Sequence, residues 1–148
     1  LNRYEEVYSH KLLNELKVLE SSFSLNQTEI TKLERNKKLV TKVKDLYQCK
    51  CELCNPDNPL PPICLDNGEI YSEVHHITSL HVAKSNEDIQ YIDSYKNTIV
   101  LCPYHHKYVH LHNGGFNILS KDDDDILYLQ NKKGEQIQIY IDYHLSVN

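Results

Sequence analysis

The side chains that could do chemistry in this sequence are clustered. Of its five cysteines, two form the knuckle Cys51-Glu52-Leu53-Cys54, and a third opens a matching knuckle, Cys102-Pro103-Tyr104-His105, after 47 intervening residues. Three thiolates and one imidazole are the donor set of a closed tetrahedral zinc site, which staples a small core and catalyses nothing. Cys49 and Cys64 are left over as free or buried thiols, since only Cys51 leaves the usual two-residue gap to Cys54.

A second group is harder to explain as a staple. It comprises His75-His76, Asn97, and the pair His106 and His110. Four residues apart on a helix, His106 and His110 project from nearly the same face, and a metal needs that convergence. The opposite split, with His106 in the knuckle and His105 paired with His110, fails. Five residues turn a helix by ~500°, which leaves those two side chains ~140° apart. His105 is therefore assigned to zinc and His106 to the second group.

Taken in order, Cys51-x2-Cys54, Glu73-Val74-His75-His76-Ile77, Asn97 and Leu101-Cys102-Pro103-Tyr104-His105-His106-x3-His110 resemble the HNH endonucleases of the His-Me finger (ββα-metal) group. The resemblance is closest to HNH modules of restriction enzymes, methyl-directed ones included, and covers roughly residues 47–112. The nine-residue step from Asn97 to His106 fits as well. One position departs: the second knuckle of this family usually ends in Cys, where this chain has His105, itself a competent zinc ligand.

The resemblance implies a role for each residue. His76 would be the general base that takes a proton from water. His75, His106 and His110 would hold one divalent ion (Mg2+, Mn2+, Ni2+ or Zn2+) against the scissile phosphate. Asn97 would fix the loop between strand and helix, or help bind the metal. The chemistry is coherent in its own right. Phosphodiester hydrolysis places negative charge on oxygen, which a cation stabilises, and imidazole is a neutral base at pH 7. Successive strand side chains point to opposite faces, so His75 and His76 share a site only if the strand kinks or ends there. Glu73 shares the face of His75 and is expected to orient it.

Positioning these groups takes three kinds of element. Tyr4, Tyr8, Leu12, Leu16 and Leu19 mark one face of a first helix, and Ile30, Leu33, Val40, Val43 and Tyr47 the buried face of a second. Ser24 with Gln27, or Asn26 with Glu29, would cap that second helix. Residues 55–66 read as loop, Glu69 to Ile77 as a short strand, and 99–101 as a brief apolar run. Pro103 starts a helix that Asn113-Gly114-Gly115 stops near His112. Strands follow at Phe116 to Leu119, Ile126 to Gln130, and Gln136 to Tyr143. The expected fold is α+β: a helical arm (1–46), a zinc-stapled HNH module (47–114) and a C-terminal antiparallel β extension (115–148) compact with it.

Composition supports an ordinary globular chain: 148 residues, 40% hydrophobic and 25% charged, which argues against disorder and disulfide miniproteins. No run approaches a membrane span or a signal-peptide core. Clustered Cys and His without a secretory segment point to a reducing compartment, the cytoplasm. The chain begins at Leu1 and lacks Met, so it is expected to be a piece of a longer polypeptide. The net charge of −5 divides into +3 over residues 1–50 and −8 over 51–148, the latter including Asp122 to Asp125, read as a solvated loop. An acidic module grips DNA poorly by itself. A further recognition domain, a second subunit or a homodimer is expected to supply affinity. The expected activity is metal-dependent DNA cleavage in a restriction or phage-defence enzyme. A non-catalytic zinc interaction module, and an HNH homing, toxin or RNA-cleaving nuclease, fit the same residues.

Overall fold

The computed structural model describes residues 3–21, 29–78 and 94–145. Helix α1 (Arg3–Ser21) and helix α2 (Glu29–Leu46) precede strand β1 (Glu73–His76). A 3-10 turn, Tyr95–Asn97, leads into β2 (Thr98–Leu101), followed by helix α3 (Pro103–Leu111) and a second 3-10 turn, His112–Gly114. Strands β3 (Ile118–Lys121), β4 (Leu127–Gln130) and β5 (Gln136–Gln138) complete the chain. The architecture is mixed α+β, with helices first and antiparallel strands last. Among the described residues no helix is long and apolar enough to cross a membrane.

The two-stranded sheet β1–β2 is the centre of the molecule. It is antiparallel, with Glu73 opposite Leu101, Val74 opposite Val100, His75 opposite Ile99 and His76 opposite Thr98. Alternation along a strand gives this ribbon two faces. Val74 and Val100 face the helical arm, packing with Leu12, Leu16, Leu39, Val43, Leu46, Tyr47 and Tyr95. Ile99 and Leu101 face the other way, into a core built from Leu53, Ile77, Val109, Phe116, Leu127, Leu129, Ile139 and Leu145. Knuckle, sheet, α3 and the C-terminal strands thus bury their apolar side chains together. Glu73 and His75 project to this second face, the one that α3 covers.

Several elements differ from expectation. Among the described side chains of α1 the buried stripe begins at Leu12, while Tyr8 is exposed. In α2 Leu33 is exposed, and Leu39 and Leu46 take its place in the core beside Val43. That helix has hydrophobic residues on more than one face, and the stripe is chosen by where α1 and Tyr95 sit. The side chains of Tyr4 and Ile30, and the proposed capping residues 24–27, lie outside the described residues. The first strand is shorter than Glu69 to Ile77: its N-terminal part forms one isolated bridge, Cys64 to Ile70, with the Pro-rich loop. The last strand ends at Gln138, because from Tyr140 the chain turns to the knuckle. There the Tyr140 N–H donates to the Glu52 carbonyl at 2.8 Å.

The acidic run forms a turn between β3 and β4. Asp122 Oδ1 accepts from the N–H groups of Asp124 and Ile126, at 3.0 and 2.9 Å. The Asp122 carboxyl lies below its usual range, chiefly through the Ile126 N–H. This is the solvated loop its composition indicates.

Candidate metal centres

The knuckles converge. Cys51 leaves α2 through a turn in which Gln48 and Cys49 take positive φ, 52° and 60°. Cys102 sits at the N-cap of α3 with Pro103 at its first position, and its Sγ accepts from the His105 N–H. The Nδ1 of His105 lies 3.4, 3.5 and 3.4 Å from the sulfurs of Cys51, Cys54 and Cys102, and the last two sulfurs are 4.0 Å apart. Ligand bonds of the usual length around tetrahedral zinc put S and N ~3.6 Å apart, and two sulfurs ~3.8 Å. The four atoms have that spacing. Burial pushes the Cys51 and Cys54 thiols up and the His105 imidazole down, so these groups resist charging unless a cation shares the site. The Cys3His cluster is positioned to hold a metal ion, consistent with zinc.

The knuckle is fastened by a residue that its sequence does not flag. Glu52, fully buried, accepts from the Val100 N–H at 2.6 Å through Oε2 while its own N–H donates to the Val100 carbonyl at 2.8 Å. Desolvation raises its carboxyl well above the usual range. Nothing in the pattern Cys-x-x-Cys distinguishes a buried middle residue from an exposed one.

The second group converges as well. His75, His106 and His110 bring ligand nitrogens within 4.8 Å of one another. The Nε2 atoms of His106 and His110 are 3.2 Å apart, and the His75 ring packs edge-on against both, at centroid distances of 5.2 and 4.5 Å. His75 is buried, and its pKa is lowered to about 3 by that burial first, then by His110, His106 and His76. At neutral pH it is an uncharged lone-pair donor.

His76, the last residue of β1, is half-buried and lies on the opposite face from His75. Because the strand ends there, both line one cleft of about 530 Å3, with His106, His110 and the segment Gly114–Asn117. That segment comes close because residue 115 is glycine. With φ at 93°, a Cβ there would meet the His110 carbonyl oxygen at 3.1 Å.

The Glu73 carboxylate meets a histidine other than the one expected. Glu73 does not reach His75: its Oε2 bonds His106 Nδ1, and its Oε1 accepts from the Tyr71 hydroxyl at 3.0 Å. Residues two apart on a strand run parallel to one another, whereas α3 lies directly across from both. Asn97 is buried, and its side chain is turned to the chain after β1. Its Oδ1 accepts from the Thr78 N–H at 3.0 Å and its Nδ2 donates to the Thr78 carbonyl at 2.9 Å.

A third group, Glu52, Asp142 and His144, also places ligand atoms within 4.8 Å. Both His144 nitrogens are committed, Nδ1 to the Tyr47 hydroxyl and Nε2 to the Thr98 carbonyl at 2.7 Å. Asp142 Oδ1 accepts from the N–H groups of His144 and Leu145. This is a buried polar clamp joining α2, β2 and the C-terminal segment.

Residues 67–147, more than half of the chain, match the family model of the type IIS restriction enzyme MboII C-terminal domain. No curated protein and no solved structure gives a match.

Proposed function

The chain belongs to the family of the type IIS restriction enzyme MboII C-terminal domain, and on that premise we propose that it is the nuclease part of a restriction enzyme, an HNH-type endonuclease that hydrolyses DNA phosphodiesters. The observation that carries the reading is the single cleft into which β1 and α3 deliver His75, His76, His106 and His110. Residues 47–114 are the nuclease module and 115–148 its C-terminal extension, from which Phe116, Leu127, Leu129, Ile139 and Leu145 join the module's core.

His75, His106 and His110 would hold a divalent cation, which when bound supplies positive charge to the phosphate oxygens. Imidazole donors favour Ni2+ or Zn2+, whereas Mg2+ or Mn2+ would draw most of its ligands from water and phosphate oxygens. His76 takes the proton of the water whose oxygen attacks phosphorus. A P–O bond breaks on the other side, and no covalent enzyme intermediate forms. Asn97 holds the start of the loop after His76. The Cys3His site binds structural zinc. Since residues 51–148 carry a charge of −8, most DNA affinity comes from a further recognition domain, a partner subunit or a second copy of the chain.

The test is plasmid cleavage with Mg2+, Mn2+ or Ni2+, on native and methylated DNA, with His76→Ala alongside. Nicking by the parent and loss of at least a hundredfold in the variant are expected. Equal cleavage by both removes His76 from the mechanism. No cleavage by either, with DNA bound, favours a zinc-based interaction module.

A further inference from the structure

We propose that Glu73 is a positioning residue for the helix side of the histidine site: its carboxylate fixes His106 as the Nδ1–H tautomer, so that the Nε2 lone pair faces His110 and the cleft. This rests on the reading of His75, His106 and His110 as a cation site. It differs from the expectation in which Glu73 serves its strand neighbour, because the imidazole it touches belongs to α3, 33 residues away.

The argument is one of donors and acceptors. An ionised carboxylate only accepts, so the ring nitrogen it touches must carry the proton. The other nitrogen then keeps its lone pair. In His106 that other nitrogen is Nε2, placed 3.2 Å from His110 Nε2. Without such a partner an imidazole samples both tautomers, and one of them points N–H at the site where a lone pair is needed. The carboxylate is itself held. Its second oxygen accepts from the Tyr71 hydroxyl at 3.0 Å, which leaves Oε2 aimed at α3. Strand geometry makes the reach possible, since alternation puts Glu73 and His75 on the face that α3 covers. His75 thus offers a nitrogen directly, and Glu73, two residues earlier, orients an imidazole offered by the helix. Carboxylates in this relation to ligating imidazoles typically strengthen metal binding 10–100-fold.

The experiment titrates Ni2+ into zinc-loaded protein by calorimetry and records long-range 1H–15N spectra of the imidazoles. The proteins compared are the parent, Glu73→Gln, Tyr71→Phe, His110→Ala and the control Glu69→Gln. Glutamine keeps the shape but loses the charge, and can donate as well as accept. Expected are one Ni2+ site in the parent that His110→Ala abolishes, about 10–100-fold weaker binding in Glu73→Gln, a smaller loss in Tyr71→Phe and none in Glu69→Gln. The His106 signals should show Nδ1–H in the parent and a mixture of tautomers in Glu73→Gln. Zinc content should stay at one ion per chain throughout, which certifies folding. Unchanged affinity and tautomer in Glu73→Gln overturn the role of Glu73 and leave the cation site standing. A parent that takes up no Ni2+ sensitive to His110→Ala overturns both.

Discussion

Replacing Asn97 separates two ways in which an asparagine could serve such a site. Its amide is bound on both sides by the backbone of Thr78, two residues after His76. Asn97→Ala deletes two hydrogen bonds and strands a donor and an acceptor. At ~1 kcal/mol per lost bond, with ~1–3 kcal/mol for a buried group left unpaired, the cost is about 2–4 kcal/mol. Asn97→Asp is the more telling change. It keeps an acceptor for the Thr78 N–H but sets an oxygen against the Thr78 carbonyl, so it should destabilise about as much as alanine. A metal ligand would behave oppositely, since a carboxylate binds divalent ions better than an amide does. The assay is urea unfolding of zinc-loaded protein with plasmid cleavage and Ni2+ titration alongside. Both variants should lose stability and cleavage while Ni2+ affinity stays within about threefold. An Asp variant that binds the ion more tightly and folds as stably as the parent would refute the positioning argument.

Two further outcomes follow from the same geometry. Stripping zinc, or replacing Cys54 by Ser, should lower the midpoint of the cooperative unfolding transition, because the ion would join two distant segments that the Glu52–Val100 bonds and the packing of Leu53 otherwise hold alone. Calorimetric scans with and without chelator check this, and an unchanged transition would show the Cys3His set to be dispensable. With no cation on its ring nitrogen, His75 makes the protein acid-labile. Its folded pKa, about 3, lies below the unfolded value of 6.5, so the unfolded chain takes a proton that the folded one refuses. Stability is therefore full above pH 6.5 and declines toward pH 3, by up to ~1.4 kcal/mol per pH unit from this group. His75→Asn removes that slope, and urea midpoints between pH 7 and 5.5 that move alike in both proteins would contradict it.

What the sequence makes legible here is local. Cys51 to Cys54, Cys102 to His105 and His106 to His110 are each set by a turn or by one helical repeat, and such spacings fix geometry before any tertiary contact forms. The end of α3 is readable too, because Asn113 and Gly115 adopt the positive φ that their residue types favour. What is not legible depends on register between elements. The bond from Glu73 to His106 exists because β1 pairs with β2 in one register and α3 then lies across both. A reading confined to the strand finds only His75 at the right spacing. Glu52 and His144 are hidden for a related reason: their burial is decided by Val100, Tyr47 and Thr98, which are distant in sequence. Leu33 fails in the other direction, an apolar residue on a helix whose partner covers a different stripe.

The adjacency of His105 and His106 ties the two centres into one device. Consecutive residues on a helix diverge by about 100°, so α3 can send His105 into the sulfur cluster and His106 toward His75 only at one rotation about its axis. A turn of ~20° would carry a side-chain tip by roughly 2 Å, comparable to a whole ligand bond. The rotation is held at the N-terminus by Cys102 and His105, and near the C-terminus by buried Val109, whose carbonyl accepts from the Phe116 N–H at 2.8 Å. Zinc at the knuckle would therefore be more than a staple. By setting the azimuth of α3 it would aim His106 and His110, and loss of zinc should weaken cation binding at the proposed histidine site even where the helix survives.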